Sequence, residues 1–165
     1  GLYVRPGIDA FFRERAIPAC DLVTPNHFEL ELLTGRTVAT LDDALAAART
    51  LLHGPQLALV TSLRRADAPT DQVEMLAVSR DAAWRIATPL IGFEIAPNGT
   101  GDTVAALFSA HWIATGDIAD ALGKAASSIF AVLEATSAAG ERELQLVAAQ
   151  DRLVAPARRF FAEAL

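Results

Sequence analysis

Residues 57–61, Leu-Ala-Leu-Val-Thr, form an apolar run that constrains the fold more than any other segment. A strand with alternating polar residues can face water on one side, but a continuously apolar strand needs cover on both faces. Amphipathic helix patterns stand before and after this run, so helices are available to cover it. The sequence therefore predicts an α/β protein whose sheet contains at least two parallel strands.

Glycine, proline and capping residues divide the rest of the chain into short elements. Asn26 is predicted to cap one helix, and Thr40, with Asp43 three residues on, the next. Helices are expected at about 6–16, 26–35, 40–52, 101–114, 118–138 and 142–150, and strands at about 20–24, 57–61, 73–79 and 83–88, the last two as an antiparallel hairpin. Segments 64–71 and 89–97 are expected to be loops, and the residues after Pro156 a short tail in which Arg158 and Arg159 are solvated.

Composition and charge narrow the function classes. The chain has 165 residues, 14 basic and 20 acidic, without a basic run or stripe, which argues against nucleic acid as a partner. The single cysteine, Cys20, excludes a disulfide within the chain and fits a reducing cytoplasm. No apolar run approaches the ~20 residues of a membrane span. Hydrophobic residues make up 52% of the chain, and its first residues do not start a recognisable element, so we expect a portion of a larger domain.

Two glycines bracket a threonine in the segment Asn98-Gly99-Thr100-Gly101-Asp102, which precedes a long apolar helix pattern. Glycines let a ligand approach the backbone, and a helix N-terminus attracts phosphate through its free N–H groups and its dipole. Asp102 would then stand beside the phosphate, where a carboxylate can take a proton from a hydroxyl group. The pattern indicates phosphoryl transfer without a P-loop lysine. The alternative is a glycine-rich turn in which Asp102 stabilises the helix dipole.

Two further polar segments follow predicted strands. Thr24-Pro25-Asn26 leads into a helix whose Glu29 can hold Mg²⁺ directly or through water, since Mg²⁺ prefers oxygen ligands. The alternative is a capping box between Asn26 and Glu29. Thr61 and Ser62 end the buried strand and either contact phosphate or metal or mark where the strand meets solvent. Because ligands bind beyond the carboxyl ends of parallel strands, these segments and 99–102 are expected to share one site.

Three motifs of the chain resemble, in order, those of the pyridoxal kinases of the ribokinase superfamily. They are the segment 21–35, Asp-Leu-Val-Thr-Pro-Asn-His-Phe-Glu-Leu-Glu-Leu-Leu-Thr-Gly, then Val60-Thr61-Ser62, then 98–102. Thr-Pro-Asn-x-x-Glu-Leu or Gly-Thr-Gly-Asp alone would indicate only the superfamily, and the resemblance runs over nearly the whole chain. It implies a three-layer α/β/α fold with a mostly parallel central sheet. It also implies ATP-dependent phosphorylation of the 5′-hydroxymethyl group of pyridoxal, pyridoxamine or pyridoxine.

The resemblance assigns a role to each matching residue. Asp102 corresponds to the catalytic base, which faces the substrate, and Gly99, Thr100 and Gly101 to the anion hole. Contacts with the nucleotide are implied for Thr24, Asn26, Glu29, Thr61, Ser62, Thr88, Pro89, Leu90 and Ile91, and contacts with metal for Thr24 and Glu29. ATP and Mg²⁺ are the implied cofactors, with K⁺ as a candidate monovalent ion. The resemblance also leads us to expect a cytoplasmic homodimer.

The chain departs from the family in length. Pyridoxal kinases are nearly twice as long, so residues 1–165 are expected to be the C-terminal, nucleotide-binding portion of a single kinase domain. One alternative is a kinase acting on a hydroxymethylpyrimidine of thiamine synthesis, although those enzymes usually carry cysteine where Asp102 stands. The other is a truncated, non-catalytic remnant that binds nucleotide or dimerises.

Overall fold

The computed structural model describes Arg5 and residues 7–165, which form a five-stranded sheet with helices on both faces. The strands are β1 (Leu22–Val23), β2 (Leu57–Leu63), β3 (Gln72–Ser79), β4 (Ala83–Pro89) and β5 (Glu163–Ala164). The helices are α1 (Ile8–Phe11), α2 (His27–Thr34), α3 (Leu41–Thr50), α4 (Thr100–Thr115), α5 (Ile118–Ala139) and α6 (Gln150–Val154). A π-helical stretch, Phe12–Ala16, and a 3₁₀ turn, Ile17–Ala19, continue α1 toward β1. The helix predicted at 6–16 thus begins at Ile8, and Pro6 lies outside the described residues.

The sheet is mixed, with its strands in the order β1-β2-β3-β4-β5. Within the described residues β1 and β2 pair in parallel, whereas the other three neighbouring pairs are antiparallel. The α/β class and the predicted hairpin are confirmed, but parallel pairing is less frequent here than expected. A parallel crossover needs about a dozen residues or more, and the connections at 64–71 and 80–82 are shorter, so the strands they join run antiparallel.

Two apolar clusters hold the helices against the two faces of the sheet. On one face α2 and α3 pack through Leu30, Ala44, Ala47, Ala48, Val60, Leu63, Leu76 and Val78. On the other face α4 and α5 pack through Leu57, Leu59, Ala77, Val104, Phe108, Leu122 and Ala125. The four apolar residues of the run 57–60 are completely buried, as expected of a strand covered on both faces. The predicted three-layer arrangement is confirmed. In the part of the chain that the structure describes, no helix has the length and apolar character needed to span a membrane.

Helices α2 and α3 begin with capping boxes. Asn26 Oδ1 accepts a hydrogen bond from the Glu29 N–H at 2.9 Å, and Glu29 Oε2 accepts one from the Asn26 N–H at 2.9 Å. Thr40 and Asp43 are paired in the same way, at 3.2 and 2.9 Å. These bonds satisfy N–H groups that have no acceptor inside the helix and so define where each helix begins. The Thr40 side chain also holds the pKa of the Asp43 carboxyl below its usual range by hydrogen bonding.

The chain after α5 differs from the prediction. Turns replace the helix expected at 142–150, and the helix α6 lies at Gln150–Val154 instead. Arg158 and Arg159 are exposed, as predicted, but the tail around them packs on the protein, because the Phe160 N–H donates to Ser127 Oγ at 2.9 Å and β5 pairs with β4. Gly123 permits this approach, since a Cβ there would lie 3.0 Å from the Phe160 carbonyl oxygen. Local sequence patterns did not reveal these contacts because the partners are distant along the chain.

Candidate functional site

The segment Gly99–Asp102 forms the N-terminus of α4, as predicted. Gly99 is the N-cap residue and has a left-handed conformation, with φ at 82°, that favours glycine. Because glycine offers no capping side chain, the N–H groups of Thr100, Gly101 and Asp102 have no side-chain cap. A helix end of this kind, with the positive end of the helix dipole, can bind an anion such as phosphate.

Gly101 is a glycine that the fold of this chain does not require. Its φ lies outside the left-handed region, and a Cβ added to it would meet no atom within 4 Å. Glycine within a helix is less stable than alanine by roughly 0.5–1 kcal/mol, so it carries a cost without a visible packing benefit. A backbone without a Cβ does, however, let a ligand reach the N–H groups closely. The geometry therefore favours a ligand-related explanation for Gly101.

Asp102 is the third residue of α4, and its side chain is exposed to solvent. A substrate hydroxyl can therefore reach its carboxylate. The same carboxylate lies in the first helical turn, where a negative charge is favoured by the dipole. Both interpretations of Asp102 are thus compatible with its position, and its role as a base stays a prediction.

The two other polar segments lie side by side. Asn26 and Thr61 form a parallel bridge, and the Thr61 N–H donates to the Pro25 carbonyl oxygen at 2.9 Å. These contacts extend the β1–β2 pairing beyond Val23. The predicted proximity of 24–26 and 61–62 is confirmed, while their binding of nucleotide stays a prediction.

Ser62 has φ at 52°, the one positive value for a non-glycine residue in the described part of the chain. It lies where the pairing of β2 with β3 shifts register, between Val60 and Leu63. Thr61 is buried at this point, whereas Ser62 is exposed. A non-glycine residue held in such a conformation costs of order 1–3 kcal/mol, and strain of this kind clusters at functional sites.

Glu29 takes part in the capping box of α2, which confirms that interpretation of the sequence. The cap uses Oε2, and Glu29 is exposed, so its second carboxylate oxygen can still accept a cation or water. Thr24 adds a half-buried hydroxyl nearby in sequence. No group of three or more His, Cys, Asp or Glu side chains suited to a metal occurs among the described residues. These oxygen donors fit Mg²⁺, which commonly takes one or two carboxylates and completes its shell with water and phosphate.

The segment predicted to lie along a nucleotide comes at the end of β4. Thr88 is buried and pairs with Val73, and the Leu90 N–H donates to the Asp71 carbonyl oxygen at 2.7 Å. Pro89 is the last residue of β4, and the chain from Leu90 through Ile91 to Asn98 is neither helix nor strand, as predicted for this loop. The segment therefore leads directly from the sheet into the N-terminus of α4.

Two features next to these residues were missed by sequence reasoning. Asn98 forms a bridge with Glu143, so the segment after α5 lies against the glycine-rich segment. A buried ion pair joins Arg65 to Glu74, with Arg65 Nε donating to Glu74 Oε2 at 2.6 Å. This hydrogen bond raises the pKa of Arg65 above its ordinary value. A glutamate within the apolar strand pattern at 73–78 was the available signal for the ion pair.

A groove of about 420 Å³ lies between α5 and the last residues of the chain, and it does not include the predicted site residues. Lys124, which lines the groove, is paired with Asp120 at 2.7 Å. His111 of α4 also lines the groove. Because an α-helix rises about 1.5 Å per residue, His111 lies about 16 Å along α4 from Thr100. The groove is therefore remote from the N-terminus of α4.

Comparison with known proteins places this geometry in a family. The family described as phosphomethylpyrimidine kinase matches residues 4–146 of the chain. Pyridoxal kinase PdxY of Rubrobacter xylanophilus is 55% identical, over 97% of the chain and 55% of that protein. Pyridoxal kinase PdxY of Deinococcus radiodurans is 48% identical, over 99% of the chain and 56% of that protein. The structure of pyridoxal kinase from Leishmania donovani in complex with ADP and ginkgotoxin is similar with a TM-score of 0.89 and 27% identity, over 100% of the chain and 57% of that protein.

The chain spans little more than half the length of these relatives, from 55% to 57%. Over that length the similarity to the Leishmania structure confirms the ribokinase-like α/β fold that the sequence motifs implied. Since the family match takes in residues 4–146, it includes β1 to β4, α2 to α5 and every predicted site residue. The chain is similar to pyridoxal kinases over nearly all of its length. It belongs to the phosphomethylpyrimidine kinase family.

Proposed function

We propose that residues 1–165 are the C-terminal, nucleotide-binding portion of a pyridoxal kinase domain. The enzyme transfers the γ-phosphate of ATP to the 5′-hydroxymethyl group of pyridoxal, pyridoxamine or pyridoxine. The observation that carries the proposal is the uncapped N-terminus of α4, with Gly99 as its N-cap and Asp102 exposed in its first turn. The names of the Rubrobacter and Deinococcus relatives support a vitamin B6 substrate, and the ADP bound to the Leishmania enzyme supports a nucleotide.

In this proposal Asp102 is the general base and the segment before it is the anion hole. The N–H groups of Gly99, Thr100 and Gly101 hold the transferring phosphoryl group. Phosphoryl transfer depends mainly on positioning and on stabilising negative charge, which fixed N–H groups do without reorganising. Asp102 accepts the proton of the 5′-hydroxyl group while the oxygen of that hydroxyl group forms a bond to the γ-phosphorus of ATP. The bond from that phosphorus to the bridging oxygen breaks, and ADP leaves.

The other polar segments hold the nucleotide in this proposal. The bridge between Asn26 and Thr61 supports a shared role for Thr24, Asn26, Thr61 and Ser62 at the phosphates. Mg²⁺ neutralises phosphate charge when bound, and Glu29 and Thr24 hold it directly or through water. The segment 88–91 lies along the nucleotide, and K⁺ is the candidate monovalent ion.

We also propose that the whole enzyme is a cytoplasmic homodimer. Light scattering checks the homodimer, and cell fractionation checks the location.

A second candidate is phosphorylation of a hydroxymethylpyrimidine or of its phosphate. The description of the matching family favours it. Asp102 argues for the vitamin B6 substrate instead, because the related pyrimidine kinases usually carry cysteine at that position. The two candidates share the anion hole and differ in the acceptor alcohol.

A hybrid kinase separates these candidates. The part of the Rubrobacter xylanophilus protein that this chain does not match is joined to residues 1–165. The hybrid kinase is given ATP and Mg²⁺ with either pyridoxal or hydroxymethylpyrimidine, and the phosphorylated product is measured by chromatography. We expect pyridoxal to react at least about tenfold faster, the discrimination that one well-placed contact gives.

The controls decide what a negative result means. A folded hybrid that phosphorylates only the pyrimidine shows that the substrate assignment is wrong. A folded hybrid that phosphorylates neither compound, while the intact Rubrobacter protein does, favours the non-catalytic alternative. The chain by itself is assayed in parallel, and turnover of pyridoxal by it would exclude that alternative directly.

A further inference from the structure

The end of β2 contains a bulge that turns Ser62 away from the apolar cluster beneath it. Val60 pairs with Leu76 and Leu63 pairs with Glu74, so two residues of β2, Thr61 and Ser62, stand opposite one residue of β3, Met75. An extra residue in a strand shifts the alternation of side chains by one position. Val60 and Leu63 consequently lie in the same apolar cluster although they are three residues apart.

The bulge lies against the second polar segment of the candidate site. The Thr61 N–H donates to the Pro25 carbonyl oxygen at 2.9 Å, and Asn26 bridges to Thr61. Ser62 is exposed at this position with its φ at 52°. Its hydroxyl direction therefore depends on a conformation that an unconstrained serine rarely adopts.

An ion pair follows the bulge immediately. Glu74 is the residue paired with Leu63, the first β2 residue after the bulge, and Arg65 lies two residues further. Arg65 donates to both carboxylate oxygens of Glu74, from Nε at 2.6 Å and from Nη2 at 3.1 Å. The Arg65 and Glu74 side chains are only 4% and 3% exposed, so water does not compete for these bonds. A two-point contact between planar groups fixes orientation as well as distance.

Other charges complete the arrangement. Arg65 Nη1 donates to Asp67, and Arg85 Nη1 donates to Glu74 Oε1 at 3.4 Å. A buried ion pair is often no more stabilising than apolar residues of the same volume, so stability alone is a weak reason for this one. Its location suggests another reason, because Arg65 lies just after β2 ends, beyond the bulge, and the pair joins that segment to β3.

We propose that Arg65 and Glu74 are positioning residues that hold the β2 bulge and thereby aim Ser62 at the nucleotide phosphates. The inference rests on the proposed function, in which Ser62 contacts phosphate. Neither Arg65 nor Glu74 touches the nucleotide; both act through the backbone of Thr61 and Ser62. Loss of the pair lets β2 slip toward regular pairing, which would bring Ser62 toward the apolar face.

Hydrogen exchange on the full chain tests the structural part. Glu74→Gln keeps the side-chain shape and removes the charge, and Arg65 keeps Asp67 as a partner. We expect the exchange rate of the Thr61 amide to increase about tenfold more than the rates of other amides in the sheet. Hydrogen exchange can show this because it measures local opening residue by residue. Leu122→Ala is the control, because Leu122 is completely buried in the cluster on the opposite face. Equal acceleration at Thr61 and throughout the sheet would overturn the proposal.

Kinetics of the hybrid kinase test the functional part through a double-mutant cycle. Ser62→Gly removes the hydroxyl and is compatible with the left-handed backbone. We expect Ser62→Gly and Glu74→Gln each to raise the KM for ATP about tenfold, the effect of one hydrogen bond to a charged group. The double variant should have a KM for ATP little higher than that of either single variant, because both substitutions remove the same contact between Ser62 and phosphate. Leu122→Ala should lower the melting temperature and leave that KM unchanged.

The outcomes separate this inference from the proposed function. If Ser62→Gly raises the KM for ATP and Glu74→Gln does not, or if the two effects multiply, the positioning role is wrong and the kinase assignment stands. If Ser62→Gly has no effect, phosphate contact by Ser62 is wrong and the inference falls with it, while pyridoxal turnover by the hybrid still tests the function. Arg65→Lys keeps the positive charge but cannot make the two-point contact with the Glu74 carboxylate. It replaces Glu74→Gln in the double-mutant cycle if Glu74→Gln does not fold.

Discussion

Replacement of Gly101 by alanine should change stability and activity in opposite directions. A Cβ at this position meets no atom within 4 Å, and the backbone φ is not left-handed, so alanine fits the folded chain without strain. Alanine is favoured over glycine in a helix by up to about 1 kcal/mol, and we expect about half of that in the first turn of α4. For a domain of this size the melting temperature should rise by about 1–2 °C.

The same methyl group should lower the rate of phosphoryl transfer. A phosphate oxygen bound by the first-turn N–H groups approaches them at about 2.9 Å, and a methyl group beside that N–H occupies part of the space it needs. Removing one preorganised donor to a reacting oxyanion typically costs about 10²–10³ in kcat, or roughly 2.7–4 kcal/mol. We therefore expect Gly101→Ala to lower the kcat of the hybrid kinase about a hundredfold.

Thermal unfolding and turnover of pyridoxal, measured on the same preparations, check both halves. Gly116→Ala is the matched control, since Gly116 ends the same helix with φ at 71° and alanine there is strained. This control should lower the melting temperature and leave kcat unchanged. If Gly101→Ala raises the melting temperature and keeps kcat within about threefold of the parent, no phosphoryl group approaches this N-terminus and the reasoning is refuted.

Four further predictions use the same preparations. Asp102→Ala should lower kcat about 10²–10⁴-fold with little change in the KM for ATP, and near-parental kcat would remove Asp102 as the base. Glu29→Gln keeps a capping partner for Asn26, so the melting temperature should hold while the Mg²⁺ concentration for half-maximal rate rises about tenfold. Burial raises the pKa of the Cys20 thiol, so iodoacetamide should alkylate it more slowly at neutral pH than it does a free cysteine, and equal rates would contradict its burial. The pKa of Asp43 in the folded chain lies below its value in the unfolded chain. Its contribution to stability is therefore complete at pH values above the unfolded pKa and is lost as the pH falls through the folded pKa. Thr40→Ala should weaken this dependence of the unfolding free energy on acid pH, as measured by urea titrations.

The parts of the fold that were predictable depend on neighbours in sequence. The capping box of Thr40 and Asp43 involves residues only three positions apart. The burial of β2 could be predicted from its own continuous run of apolar residues. The hairpin at 73–79 and 83–88 was readable because its turn is short. For the candidate site, the N-terminus of α4 and the proximity of Asn26 to Thr61 followed from strand ends and glycine positions.

The remaining features depend on partners that a local pattern does not contain. The bulge at Ser62 exists because of its register against β3, and alternation within β2 gives no hint of it. Glu74 is buried because Arg65 and Arg85 reach it from two different segments. The turns at 142–149 replace a predicted helix because this stretch lies beside the glycine-rich segment, with Glu143 bridged to Asn98. Composition favoured a helix there, and tertiary contacts outweighed that preference.

The pairing of β4 with β5 has a consequence for the order in which the chain can fold. Arg85 donates to Glu163 at 2.7 Å across 78 positions of sequence, and Trp84 pairs with Ala164. A ribosome adds residues at about 5–20 per second, so β4 emerges several seconds before its outer neighbour exists. During that interval β4 presents an open edge on which another nascent chain can pair. Pairing with β5 covers this edge, and no equilibrium stability measurement would detect that protection against aggregation.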